Sequence, residues 1–311
     1  MRAALYRRYG KDVVEVGEWA DPIAGRGELL VRVRAAALNP KDVMTSRGKL
    51  ALFSGRRFPK QLGYDWAGEV IAVGPGVEGV AIGERRFGMI QSWKAGAIAE
   101  RAAVRVEESA RLPEEIPWSS GAAIALVSLT ALQALRDEGR LREGRRVLIH
   151  GASGGVGVHA IQIAKILGAH VTTTSSAGNR ELCRSLGADV ALDYAADDLA
   201  ARGERWDVFF DVFGNRRLSF AKPLLTPRGR YVQTVPAATT LLDVARSALS
   251  AQRAKLVVVR SNARDLETVA EWLRSGALRA VIDSEHALAD VRAALERQAS
   301  KRARGKIVIG L

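Results

Sequence analysis

The chain has 311 residues, 48% hydrophobic and 26% charged, a composition that excludes a disordered chain and predicts a soluble globular protein of about two domains. Its net charge of +13 comes from ten lysines and thirty-seven arginines against 34 acids. That excess would draw phosphate-bearing ligands, but the basic residues are spread along the chain. Arg-Arg pairs at 7–8, 56–57, 85–86, 145–146 and 216–217 are not interleaved with aromatics, so the charge reads as compositional bias rather than a nucleic-acid surface. No apolar run is read as approaching the roughly 18 residues of a membrane span, and the start MRAALYRRYG has no signal-like apolar core, so a cytoplasmic protein is expected. A single cysteine, Cys183, excludes an internal disulfide, and the histidines His150, His159, His170 and His286 are too scattered for a metal cluster.

Taken in order, the first 115 or so residues show short strand-like runs punctuated by glycine, at 13–16, 28–36, 66–73 and 97–106, with little helical pattern. They predict a small β-rich domain. Pro113 to Pro117 breaks the chain, and Ser119 or Ser120 can cap an apolar helix over 121–135. The stretch 145–194 then reads strand, glycine-rich turn, helix, strand, turn, helix and strand. Alternation continues with strands at 206–212, 230–234 and 255–259 and helices at 216–225 and 241–251, predicting a parallel, doubly wound sheet. The tail, with helices at 266–274 and 289–298 and strands at 279–282 and 306–309, is expected to return to the first domain. The domain expectation is therefore 1–117 completed by 261–311, with 118–260 between. The β-branched run Ala254 to Val259 is expected at the edge of the parallel sheet, where its free backbone groups could pair with a second copy in a homodimer.

The turn Gly151-Ala-Ser-Gly154-Gly155-Val-Gly157 follows a strand and opens a helix, which separates it from an ordinary flexible loop. Glycine is required there because the turn is tight, the backbone must approach a pyrophosphate, and the helix must pack on its strand; free N–H groups and the helix dipole then attract the anion. Ala152 stands where the usual fingerprint has its first glycine. An NAD site places an acid about 20 residues on, yet no acid lies between Gly155 and Arg180. Ser175, Ser176 and Arg180 offer hydroxyls and a guanidinium suited to a 2′-phosphate, which predicts NADPH. The bland reading of Arg180 is a solvated residue at a helix start.

These residues resemble the medium-chain dehydrogenase/reductases, in the zinc-free quinone oxidoreductase and enoyl reductase branch. The resemblance is carried by 37–42 (ALNPKD), 62–70 (LGYDWAGEV), 74–79, 150–157 (HGASGGVG), 186–189 (LGAD), 207–214 and 304–308 (RGKIV), nearly end to end. It implies an α/β protein: a GroES-like β-rich catalytic domain completed by the C-terminal tail, a Rossmann domain, and an active site where they meet. Zinc-dependent relatives carry a cysteine ligand where this chain has Asn39, a relay hydroxyl where it has Lys41, a histidine ligand where it has Tyr64, and a further cysteine near Leu126. The resemblance thus implies metal-free transfer of hydride from NADPH to a quinone or an α,β-unsaturated carbonyl, a reduction that needs no Lewis acid. Asn39, Lys41 and Tyr64 become candidates to hydrogen-bond or protonate the acceptor oxygen. The alternatives are that Asn39 ties the loop together, Tyr64 only packs and water supplies the proton. Cofactor contacts are implied at Thr130, at Ser153, Gly154, Gly155 and Val156, at Ser175, Arg180 and Tyr194, and at Phe213, Gly214 and Thr234. Glu84-Arg-Arg-Phe87 and Ala97-Ile-Ala-Glu100 depart from the family pattern, and Trp93 either covers the acceptor or is a surface aromatic. Two other functions remain open: an enoyl-thioester reductase, and a non-catalytic NADPH-binding protein with secondary RNA binding.

Overall fold

A computed structural model describes residues 1–311. In chain order the elements are β1 (Arg2–Tyr6), β2 (Val14–Glu18), β3 (Glu28–Ala37), α1 (Pro40–Ser46), α2 (Ala51–Ser54), β4 (Lys60–Gln61), β5 (Asp65–Val73), β6 (Arg85–Met89), β7 (Arg101–Arg105), β8 (Ser109–Arg111) and α3 (Trp118–Leu132). There follow β9 (Arg146–His150), α4 (Gly155–Ile166), β10 (His170–Ser175), α5 (Arg180–Ser185), β11 (Val190–Asp193), β12 (Trp206–Asp211), α6 (Leu218–Ala221), β13 (Leu225–Gln233), α7 (Ala238–Ser247) and β14 (Arg253–Leu256). The tail adds α8 (Ala263–Arg274), β15 (Ile282–Ala287), α9 (Val291–Ala299) and β16 (Lys306–Gly310). The chain divides into two compact units, Met1–Leu126 with Arg260–Leu311, and Val127–Val259. The division after Leu126 falls inside α3.

The first unit holds a sheet ordered β15-β16-β3-β5-β6-β8, with β7 also on β3, and a smaller sheet β2-β1-β4. The tail enters this unit as a strand: β16 pairs antiparallel with β3, Val308 opposite Ala37. Alternating burial along β3 places Leu29, Val31 and Val33 in a core shared with Trp66, Val70, Ile307 and Ile309. The helix α1 was not anticipated. Its segment, Pro40 to Ser46, is too short for a 3.6-residue period to stand out, and its local signals are a proline at the first position and the Asn39–Asp42 capping-box pair.

The second unit is one parallel sheet ordered β11-β10-β9-β12-β13-β14. The strand order reverses between β9 and β12, and the glycine turn leaves β9 at that switch point, where ligands of such sheets bind. The strands are near-continuous apolar runs such as Val147-Leu148-Ile149 and Phe209-Phe210, as expected of strands covered on both faces. The run expected as a helix over 216–225 yields only one α turn and a short 3₁₀ segment, because Pro223 cannot continue a helix. The end strand β14 is shorter than expected, Arg253–Leu256, and does lie at the sheet edge.

The reading that no apolar run approaches a membrane span needs correction. The helix that begins at Trp118 continues through a π segment to Glu138, 21 residues long and apolar enough to span; 78% of its apolar window is buried inside the fold. A core helix covered all round by protein has the same composition as a span.

Strand-to-helix packing at the glycine turn is tight enough to test. A Cβ on Gly157 would lie 2.6 Å from the backbone of Ala152, so Gly157→Ala is expected to destabilise the second unit by about 1–3 kcal/mol. Urea denaturation of the variant and the parent measures it.

Candidate active site

In the first unit β3 ends at Ala37, and the chain turns through Leu38 and Asn39 into α1. Asp42, in the first turn, accepts the Asn39 backbone N–H at 2.8 Å and the Gly63 N–H at 2.9 Å, tying the turn to the start of β5. The Asn39 side chain is consumed in the same network: its Nδ2 donates to Asp65 at 3.0 Å, and its Oδ1 accepts from Lys306 Nζ at 2.6 Å. Lys306 also donates to the Leu38 carbonyl at 2.8 Å and to Asp65 at 2.9 Å, and Asp65 accepts the Leu126 N–H at 3.0 Å. All four side chains are buried. Burial pushes the Asp42 carboxyl up to about 6 and raises Asp65, while the Lys306 ammonium pulls Asp65 back.

Lys41 points the other way on α1. Its ammonium sits 3.7 Å from the centre of the Tyr64 ring and 4.2 Å from that of Trp93, and Trp93 stacks on Phe53 at 5.3 Å. Desolvation by these aromatics lowers the Lys41 pKa, with Asp42 and Asp65 opposing. Tyr64 presents its ring to Lys41. Its hydroxyl is buried, with the Thr45 hydroxyl nearby but short of good hydrogen-bond geometry, and burial raises its pKa. Phe53 and Trp93 also line a cavity of about 670 Å³ in this unit, with Arg57, Lys60 and Ile90.

In the second unit Gly151 takes the left-handed conformation at φ 80°, and α4 starts after Gly154 with no side-chain cap. The first-turn N–H groups of Gly155, Val156 and Gly157 have no partner inside the helix. A Cβ on Gly154 would meet only the Gly151 carbonyl, at 3.6 Å, so the space in front of the turn is open to a ligand. Asn179 bridges the neighbouring loop, donating from Nδ2 to Ser153 at 2.9 Å and Ser176 at 3.0 Å. Ser175 is buried at the end of β10 and its hydroxyl donates to the Ser176 carbonyl at 3.2 Å. Arg180 lays its Nε on the Ala191 carbonyl at 3.0 Å, and Tyr194 follows β11 exposed. Thr130 is buried on α3.

Phe213 is exposed, and Gly214 has φ 69° with its N–H on Asp211 at 2.8 Å. Thr234 donates to the Val212 carbonyl at 3.0 Å. Two residues that sequence reasoning passed over hold this region. Asp211, fully buried, also accepts Arg216 N–H and Tyr231 Oη. His150 is buried between Thr174, 2.6 Å from Nδ1, and Asn215 Oδ1, 3.0 Å from Nε2, and burial depresses its pKa. The signal available for Asp211, as for Asp65 and Lys306, was a charge at the edge of an apolar run, which only pairing explains.

Residues 25–114 match the alcohol dehydrogenase GroES-like domain, and residues 186–309 match the zinc-binding dehydrogenase domain. The chain is 31% identical to the chloroplast envelope quinone oxidoreductase homolog of Arabidopsis thaliana, over 99% of this chain and 98% of that protein. It is 33% identical to the trans-enoyl reductase pgmF of Aspergillus terreus over 92% and 86%. The chain belongs to the medium-chain dehydrogenase/reductase family. Among solved structures, this medium-chain reductase resembles the quinone oxidoreductase from Coxiella burnetii with a TM-score of 0.93 and 29% identity, covering 100% of this chain and 99% of that one. Its place is in the quinone oxidoreductase and enoyl reductase branch, and it is an oxidoreductase that uses a nicotinamide cofactor. The cytoplasmic expectation is overturned by these comparisons, since the Arabidopsis relative is a chloroplast envelope protein; the missing signal-like stretch does not fix a compartment.

The buried network gives a stability expectation. Lys306→Met leaves Asp65 buried without its cation, which costs on the order of 3–5 kcal/mol. Thermal unfolding of this variant should fall well below that of an exposed control such as Lys301→Met.

Proposed function

We propose that this oxidoreductase reduces a quinone or an α,β-unsaturated carbonyl with NADPH and without a metal. The observation that carries the reading is Lys41: a desolvated ammonium held against Tyr64 and Trp93, the latter of which also lines a cavity. The glycine turn would hold the pyrophosphate of a reduced nicotinamide dinucleotide, which would supply hydride when bound. The residues fit that group, with an uncapped α4 and open space before Gly154 for the pyrophosphate. Ser176 and Arg180 stand where an acid would repel a 2′-phosphate.

The chain's own task is then the acceptor oxygen, on which negative charge develops. Lys41 can hydrogen-bond that oxygen and give it a proton, and its lowered pKa makes the transfer easier. Asn39 does not serve, because both ends of its amide are spent on Asp65 and Lys306. Tyr64 contributes its ring, as a platform for Lys41, since its hydroxyl is buried. Zinc does not fit: the positions matching its ligands hold an amide, a phenol and an apolar side chain, and the Lys306 ammonium lies 2.6 Å from Asn39 Oδ1. The likeness to a trans-enoyl reductase favours an enoyl-thioester as the second acceptor class.

Lys41→Met should lower kcat by about a hundredfold to ten-thousandfold on the best acceptor while NADPH affinity holds. Tyr64→Phe should stay within a few-fold. The basic limb of the wild-type kcat profile should lie below the ordinary lysine range and vanish in Lys41→Met; a limb unchanged in that variant makes water the donor. Parallel assays with quinones, enones and enoyl-thioesters identify the acceptor. Arg180→Ala should raise the NADPH KM roughly tenfold with little change for NADH, in keeping with a charge-assisted contact of about 1.5–3 kcal/mol. Activity that a chelator removes and zinc restores would overturn the metal-free reading.

A further inference from the structure

Ser153 and Ser176 belong to two different loops. The first lies in the glycine turn after β9, and the second follows β10. One amide joins them, as Asn179 Nδ2 donates to Ser153 Oγ at 2.9 Å and to Ser176 Oγ at 3.0 Å. A seryl hydroxyl has one proton and two lone pairs. Where an N–H already occupies a lone pair, the hydroxyl proton is directed elsewhere, and each serine becomes a donor set toward a second acceptor. The backbone holds Asn179 in place, because its own N–H donates to the Ser176 carbonyl at 2.9 Å. Asn179 Oδ1 is buried and accepts no hydrogen bond, although a buried acceptor ordinarily finds a donor.

We propose that Asn179 is a positioning residue for the dinucleotide: it fixes the Ser153 hydroxyl as a donor to the pyrophosphate and the Ser176 hydroxyl as a donor to the adenosine 2′-phosphate. The inference rests on the NADPH reading only for the Ser176 arm; the Ser153 arm applies to any dinucleotide. It also assigns the two serines different work, since Ser175, next to Ser176, is buried and gives its proton to a backbone carbonyl. Ser176 rather than Ser175 is thus the hydroxyl that discriminates, and Asn179 sets its direction without touching the 2′-phosphate.

The test is calorimetric titration of the full chain with two fragments that share the pyrophosphate and differ only at the 2′ position, ADP and adenosine 2′-phosphate 5′-diphosphate (2′-phospho-ADP), which need no turnover. Selectivity is the ratio of the ADP Kd to the 2′-phospho-ADP Kd. In Asn179→Ala, ADP should bind several-fold more weakly and selectivity should fall about tenfold. Ser176→Ala should lose a similar selectivity and keep ADP affinity, and the double variant Ser176→Ala/Asn179→Ala should be no less selective than the lower single variant. Ser153→Ala should weaken both fragments equally. If Asn179→Ala does not fold, the isosteric Asn179→Asp replaces it; as an acceptor it would turn both hydroxyl protons inward and should abolish selectivity. Asn179 variants with ADP affinity and selectivity within twofold of wild type overturn the proposal, as do additive selectivity losses in the double variant. A wild type that binds both fragments equally refutes the NADPH reading and the Ser176 arm together. Loss of ADP affinity in Asn179→Ala would then still support the Ser153 arm.

Discussion

The first unit depends on one buried cation. Lys306 enters on the last strand and meets Asp65, Asn39 and the Leu38 carbonyl at once, so a single ammonium joins β16, β5 and the turn into α1. Taking such charges out of water is costly, and the pair is tolerable only because nearly every lone pair and proton finds a partner. The cost has a structural return: the turn that carries Lys41 is held from three sides. With the Asn39 amide and the Asp42 carboxylate both committed to the backbone and to neighbours, Lys41 is the charge of the group that lies outside this network, against the Tyr64 and Trp93 rings.

Two lysines on the same unit thus do opposite things. Lys306 is enclosed by oxygen atoms and is a fixed ion. Lys41 is enclosed by π faces, which stabilise a cation less than oxygens do and keep water away, so its proton is held less firmly. A reductase of this branch has to answer charge developing on a carbonyl or quinone oxygen, and a less firmly held proton is suited to that task. Trp93 bears on this balance, since it covers Lys41 on one face and is itself stacked on Phe53.

On the proposed reading the second unit meets a different problem, the binding of an anion by groups that are mostly uncharged. The N–H groups at the start of α4 would do this by geometry, with the glycines keeping the approach clear. The side chains around them are organised by Asn179, Asp211 and His150, each of which orders loops through several hydrogen bonds. Arg180, singled out for its charge, is partly used to hold β11.

By itself the sequence determined the parallel sheet, the glycine turn at its switch point and the family, because these are written in local patterns: apolar runs, glycines at fixed offsets, and absent acids. It also singled out Lys41, Tyr64 and Ser176 as candidates. The roles within that set were decided only by tertiary structure. That the Asn39 amide is tied down follows from Lys306, 267 residues away in the chain, and that the Tyr64 ring faces an ammonium follows from the packing of Lys41 against it. That α3 is a core helix follows from the protein packed around it. Partners so distant leave no periodicity in a sequence, and a buried hydrogen bond is a property of the pair, so no residue read alone announces it.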